Sequence, residues 1–191
     1  METLPLILAS SSPRRLQILQ SIGYDPKQII APDIDETPLK RELPKALSLR
    51  LAQEKCLTVE KKIDDKVIIL AADTVVEVGR RILDKPKDAG EAAKHLQLLS
   101  GRRHRVYSAL AAKRTREEKT IIRLSITMVQ FKRLSQEEIT HYIQSGEWQG
   151  KAGGYAIHEQ AGRFIKQISG SYTGVMGLDA AQAYQVIKSL A

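Results

Sequence analysis

One cysteine in the chain means that no intrachain disulfide can form, which excludes a disulfide-stapled secreted domain. Cys56 sits in Ala52-Gln53-Glu54-Lys55-Cys56-Leu57 and reads as a small buried hydrophobe. Long apolar runs are lacking too. None approaches the ~18 residues of a membrane span, and residues 4–9 are too short for a signal-peptide core. The expectation is a soluble, cytoplasmic chain with no membrane partner. Aromatic residues make up only 5%, with one Trp, which argues against a single-stranded nucleic-acid binder that stacks bases on aromatic platforms. Repeats, low-complexity tracts and Pro/Ser linkers are absent.

What is present is ordinary globular composition, 42% apolar and 27% charged over 191 residues. That length suits one domain over residues 1–191, with room for two lobes around a cleft. Lys and Arg exceed Asp and Glu, 30 against 22, and the net charge of +8 favours anionic partners. Part of the excess is local to residues 102–123, which read as a solvated basic hairpin.

The apolar run at residues 4–9 predicts a buried strand. Ser12-Pro13 predicts a helix start, with the Ser12 hydroxyl as cap, Leu16, Leu19 and Ile22 on one face, and Gly23 as the stop. Residues 44–61 predict a second helix. Residues 67–78 predict a buried strand interrupted near Asp73, turned by Gly79-Arg80 into a partner over 81–84. Asp88 with Glu91, and Ser135 with Glu138, predict capping boxes for two more helices. Residues 103–113 and 119–131 predict a long hairpin. The glycine-dense stretch 150–177 predicts short strands joined by tight turns, and a last helix starts at Asp179. The mixture is α/β, and the hairpin rules out a purely parallel sheet.

Four places carry chemistry. A helix N-terminus presents unpaired N–H groups, so the segment Ser10-Ser11-Ser12-Pro13-Arg14-Arg15 suits a phosphate. Two arginines in a first turn oppose the helix dipole unless an anion offsets them. Asp73 lies within Ile68-Ile69-Leu70-Ala71-Ala72-Asp73-Thr74-Val75-Val76, where a carboxylate is costly unless paired, metal-bound or opened into a cleft. Asp33, Asp35 and Glu36 offer oxygen ligands suited to Mg²⁺ or Mn²⁺, and Lys55 and Lys85 could reach a polyphosphate. Finally, Gly150-Lys151-Ala152-Gly153-Gly154-Tyr155-Ala156-Ile157-His158 lets backbone approach a flat ligand, with Tyr or His stacking on a base or bonding its edge.

In order along nearly the whole chain, these segments resemble the Maf family of nucleotide pyrophosphatases. The resemblance runs from Leu8-Ala9-Ser10-Ser11-Ser12-Pro13-Arg14-Arg15 through Asp35-Glu36, Leu51-Ala52-Gln53-Glu54-Lys55, Ala72-Asp73-Thr74-Val75-Val76 and Asp84-Lys85-Pro86. It continues with Leu99-Ser100-Gly101, Gly150-Lys151-Ala152-Gly153-Gly154-Tyr155 and Gly170-Ser171-Tyr172. It implies an elongated mixed sheet with flanking helices and a deep cleft between two lobes, as in inosine triphosphatases. It also implies hydrolysis of a nucleoside triphosphate to the monophosphate and pyrophosphate, with a divalent cation as cofactor. By the same resemblance Ser12, Arg14, Arg15, Lys55 and Lys85 hold the triphosphate, Asp73 is the catalytic carboxylate or a metal ligand, and Glu36 lies near the metal. A homodimer is admitted, and no nucleic-acid partner is expected.

The dTTP/UTP branch typically carries Lys-Ala-Gly-Ala-Tyr-Gly-Ile-Gln at its base pocket. Here Gly154, Ala156 and His158 replace the second Ala, the second Gly and the Gln, and Asp179 stands where the family usually has Pro. Two rivals stand beside the dTTP/UTP reading. One is the same reaction on 7-methyl-GTP or another non-standard nucleotide. The other is a basic nucleic-acid-binding or division-regulating protein, which leaves Asp73 unexplained.

Overall fold

The computed structural model describes residues 4–191. Its elements follow as β1 (Leu6–Ala9), α1 (Pro13–Ser21), β2 (Gln28–Ile29), α2 (Pro44–Glu60), β3 (Ile68–Val78), β4 (Arg81–Leu83) and α3 (Ala89–Leu99). Then come β5 (Arg103–Arg114), β6 (Ile121–Phe131), α4 (Gln136–Gln144), β7 (Ile165–Ser169), α5 (Tyr172–Met176) and α6 (Ala180–Leu190). The strands form one mixed seven-stranded sheet in the order β2-β1-β3-β5-β6-β7, with β4 beside β3.

The break anticipated near Asp73 is not in the strand. β3 is continuous, and on one edge it pairs antiparallel with β5 from Ile68 to Glu77. Its other edge is shared between two partners. β1 runs parallel to residues 68–71, and β4 turns back antiparallel on residues 76–78. Residues 72–75 have no strand beside them there, because β1 leaves the sheet at Ser10 to enter α1. Asp73 therefore opens into a gap between neighbours, which is how a carboxylate survives in the middle of an apolar strand. Ligands in open α/β sheets bind at this kind of place, beyond the carboxyl end of a parallel strand where its neighbours diverge.

The side chains of β3 alternate between two faces. Ile68, Leu70 and Ala72 pack with Leu6 and Leu8 under α1 and α6. Ile69 and Ala71 pack with Ile7 and Ala9 under α2, where Cys56 is fully buried. Burial pushes its thiol up to about 12, so Cys56 behaves as the hydrophobe the sequence suggests. Beyond the gap a second core gathers Val76, Val78, Leu96, Phe131, Tyr142 and Phe164 beneath α3 and α4. Two lobes result, joined by β3, β5 and β6.

Several local expectations change. Ser135 and Glu138 form the full capping box, but Glu91 accepts from the Lys87 N–H, while Asp88 alone caps α3. Residues 150–177 hold one strand, β7, rather than several. Gly150, Gly153, Gly154 and Gly170 adopt positive φ and convert most of the stretch into turns and short 3₁₀ helix. Asp179 accepts from the Gln182 N–H and caps α6, which accounts for an Asp at that position. No helix among the described residues is long and apolar enough to cross a membrane.

Candidate active site

A cleft of about 900 Å³ lies between the lobes at the gap in β3. Ser12, Arg14, Arg15, Glu36, Lys55, Asp73, Lys85 and His158 all line it, whereas Asp33 and Asp35, offered by the sequence as further oxygen ligands, do not.

The floor is a row of alternating charges. Asp73 is 5% exposed, and its Oδ1 accepts a hydrogen bond of 2.6 Å from Lys55 Nζ, which reaches it from α2. Lys55 Nζ also lies 2.6 Å from Glu36 Oε1, and Lys85 Nζ donates to Glu36 Oε2 at 2.9 Å. A buried ammonium and a buried carboxylate are each costly alone, and the pairing offsets both costs. Burial pushes Glu36 up, but the bonds from Lys55 and Lys85 outweigh it and hold its carboxyl down at about 2. Lys55 thus serves two carboxylates rather than standing free for a polyphosphate.

Asp73 Oδ2 takes no hydrogen bond from the described residues and is not sealed from the cleft. Together with Glu36 it offers hard oxygen donors to a divalent cation. No set of three or more His, Cys, Asp or Glu gathers among the described residues. Two carboxylates, with substrate oxygens and water completing the shell, are a donor set that suits Mg²⁺.

The wall opposite belongs to α1. The Ser12 hydroxyl makes no cap bond, contrary to expectation; instead the Ser12 N–H donates to Ser10 Oγ at 3.2 Å. Arg15 is not a surface cation. Its Nε donates to the Gly177 carbonyl at 2.9 Å, Nη1 to Ser10 Oγ at 2.9 Å, and Nη2 to Thr74 Oγ1 at 3.4 Å. Burial lowers its pKa, and the charge of Asp73 works against that shift. Arg14 donates no hydrogen bond within the described residues, although burial lowers its pKa as well. It is the cation of this pair left for an anion.

The glycine segment closes the far end. Gly153 and Gly154 serve packing rather than a flat ligand. A Cβ on Gly153 would stand 3.0 Å from Val76 Cγ1, and one on Gly154 would stand 3.4 Å from Pro86 Cγ. Tyr155 is a core residue, 5% exposed, with its hydroxyl 2.7 Å from His104 Nε2 and its ring edge-on to Phe131. His158 does face the cleft. Its Nδ1 is buried without a partner, and its Nε2 is 3.5 Å from Glu159 Oε1. Burial lowers its pKa, with Glu159 opposing, so it is neutral at pH 7. Thr74, Gln17, Gln149 and Glu159 also line the cleft and were not anticipated. Thr74 was legible in principle, since it follows Asp73 in a strand and must face the other side. Gln149 carries no signal in the sequence.

Comparison with known proteins agrees with this geometry. A family model described as Maf-like protein matches residues 5–190. A nucleoside triphosphate pyrophosphatase of Rickettsia akari (strain Hartford) is 48% identical over 99% of this chain and 95% of its own length. A dTTP/UTP pyrophosphatase of Nitrobacter winogradskyi is 53% identical over 91% of this chain and 86% of its own. Among solved structures, a HAM1 protein from Coxiella burnetii has a TM-score of 0.53 at 17% identity, covering 97% of this chain and 99% of that one, a likeness of fold alone. With its sheet, its cleft and relatives near half identity along almost its whole length, the chain belongs to the Maf family.

Proposed function

We propose that this chain hydrolyses nucleoside triphosphates, dTTP and UTP foremost, to the monophosphate and pyrophosphate. The observation that carries the reading is the row Asp73–Lys55–Glu36–Lys85 lining one cleft with the N-terminus of α1. The names borne by the relatives, nucleoside triphosphate pyrophosphatase and dTTP/UTP pyrophosphatase, support it.

Cleavage between the α- and β-phosphorus requires neutralised charge, in-line geometry and an activated water. Arg14, Lys85 and the free N–H groups of the first turn of α1 receive phosphate oxygens. Lys55 fixes the orientation of Asp73 through Oδ1, and Oδ2 accepts the proton of the attacking water. Glu36, with Asp73 where its Oδ2 binds the ion rather than the proton, would hold Mg²⁺ or Mn²⁺, which when bound would supply positive charge at the phosphate oxygens. His158 stands at the base end, and the reaction is placed in the cytoplasm, on the free nucleotide pool, without nucleic acid.

The test is the rate of pyrophosphate release from UTP, dTTP, CTP, GTP and ATP, with Mg²⁺ and with a chelator. Fastest release from UTP and dTTP, abolished by the chelator, is the expected result. A preference for a purine triphosphate would overturn the base assignment, and chelator-resistant release would overturn the metal.

A further inference from the structure

The segment that carries Glu36 has little structure of its own. Residues 30–43 join the two-residue β2 to α2 with no helix or strand, and Pro32 and Pro38 lack amide donors. Its internal ties are few. The Glu42 N–H donates to the Leu39 carbonyl at 2.9 Å, the Leu39 N–H to Glu42 Oε2 at 2.9 Å, and the Thr37 N–H to Asp35 Oδ1 at 2.9 Å. These hold the segment to itself and not to the rest of the protein.

The Ile30 N–H ties the start of the segment to the Leu8 carbonyl at 3.0 Å, and Ile34 packs against Leu47 and Leu51; toward its end, Arg50 on α2 adds the polar link. Its Nε and Nη2 donate to the two carboxylate oxygens of Glu42, each at 2.8 Å, the fork geometry that guanidinium matches and ammonium does not. Nη2 also donates to the Thr37 carbonyl at 3.2 Å, and Nη1 to Glu54 Oε2 at 3.1 Å. Thr37 follows Glu36 directly. The same helix carries Lys55, which grips the Glu36 carboxylate itself.

We propose that Arg50 is a positioning residue: it clasps residues 37–42 to α2 and thereby sets the Glu36 carboxylate beside Lys55 and Asp73. The consequence for turnover rests on the pyrophosphatase reading; the clasp does not.

Arg50→Met and Glu42→Gln each remove the fork. Hydrogen exchange at the amides of Thr37, Leu39 and Glu42 should quicken about tenfold or more, with α3 and β5 unchanged. Because small displacements at a reacting centre are costly, pyrophosphate release should slow between about tenfold and about a hundredfold. In a Glu36→Gln background neither change should slow it further, since the residue being positioned is gone. Unchanged exchange in Arg50→Met would overturn the clasp. An equal slowing with and without Glu36 would overturn its action through that carboxylate. A wild type that releases no pyrophosphate would refute the pyrophosphatase reading, and the exchange measurement would still decide the clasp.

Discussion

Asp73 is the one charged side chain between Ile68 and Val76, His158 ends the glycine-rich segment, and each now has a stated environment. Asp73→Asn should slow turnover at least about a hundredfold, the usual scale for an acid–base group. Lys55 keeps Glu36 as a partner, so the variant should retain its melting temperature within a few degrees; turnover near the wild-type rate would remove Asp73 from the chemistry. His158 offers a base at most one direct contact, because its Nδ1 is buried and its Nε2 looks toward Glu159. A Gln amide has a donor and an acceptor side by side. His158→Gln should therefore sharpen the ratio of kcat/KM for UTP over CTP by about tenfold, the worth of one good contact. Its lowered pKa also means that wild-type selectivity should weaken at a lower pH than that at which a free imidazole takes up its proton. A Gln variant with unchanged ratios would show that this position does not read the base. At this scale the sequence was most legible where a residue clashed with its surroundings, as Asp73 does. The bonds that anchor Arg15 were not legible, because its partners Thr74 and Gly177 lie far along the chain, beyond any local pattern.

Among the elements, α1 and β3 decide the site. Arg14 and Arg15 look alike in sequence, but they should respond differently to removal. Arg14→Ala should raise KM for the triphosphate between about tenfold and about a hundredfold, with little change in stability, since it gives up only a charged contact to ligand. Arg15→Ala should also lower stability by about 1–3 kcal/mol, because Ser10, Thr74 and the Gly177 carbonyl lose their shared donor. Thermal melts of both variants, beside kinetics and inhibition by pyrophosphate, check this; equal melting temperatures would contradict it. Strands and helices with strong periodicity were legible to within a residue or two, as α2, α4 and β5 show. The interruption expected near Asp73 is absent from β3, and the gap lies in the neighbouring edge instead, since pairing partners determine a sheet edge and a single strand cannot reveal them. The glycine-rich stretch misled for a related reason: composition marks turns, and only the positive φ values show how few strands remain.

For the whole molecule, the far lobe couples stability to pH through His104. Burial lowers its pKa from 6.5 to about 4, so the native state keeps it neutral while the unfolded chain takes up a proton. Stability is then fully present above pH 6.5 and declines as pH falls toward 4, by on the order of 3 kcal/mol for this group. Denaturant midpoints across that range should fall in the wild type and flatten in His104→Gln; parallel curves would contradict the assignment. Chain length left room for two lobes and a cleft, but family resemblance alone implied them, because a cleft is a relation between distant elements that no local pattern contains. What the cleft does is tested most directly by its products. ³¹P spectra of UTP turned over by the protein with Mg²⁺ should show UMP and pyrophosphate in equal amounts, and at least about a hundredfold less of both from Asp73→Asn in the same time. Orthophosphate with UDP, or equal turnover by the variant, would contradict the account.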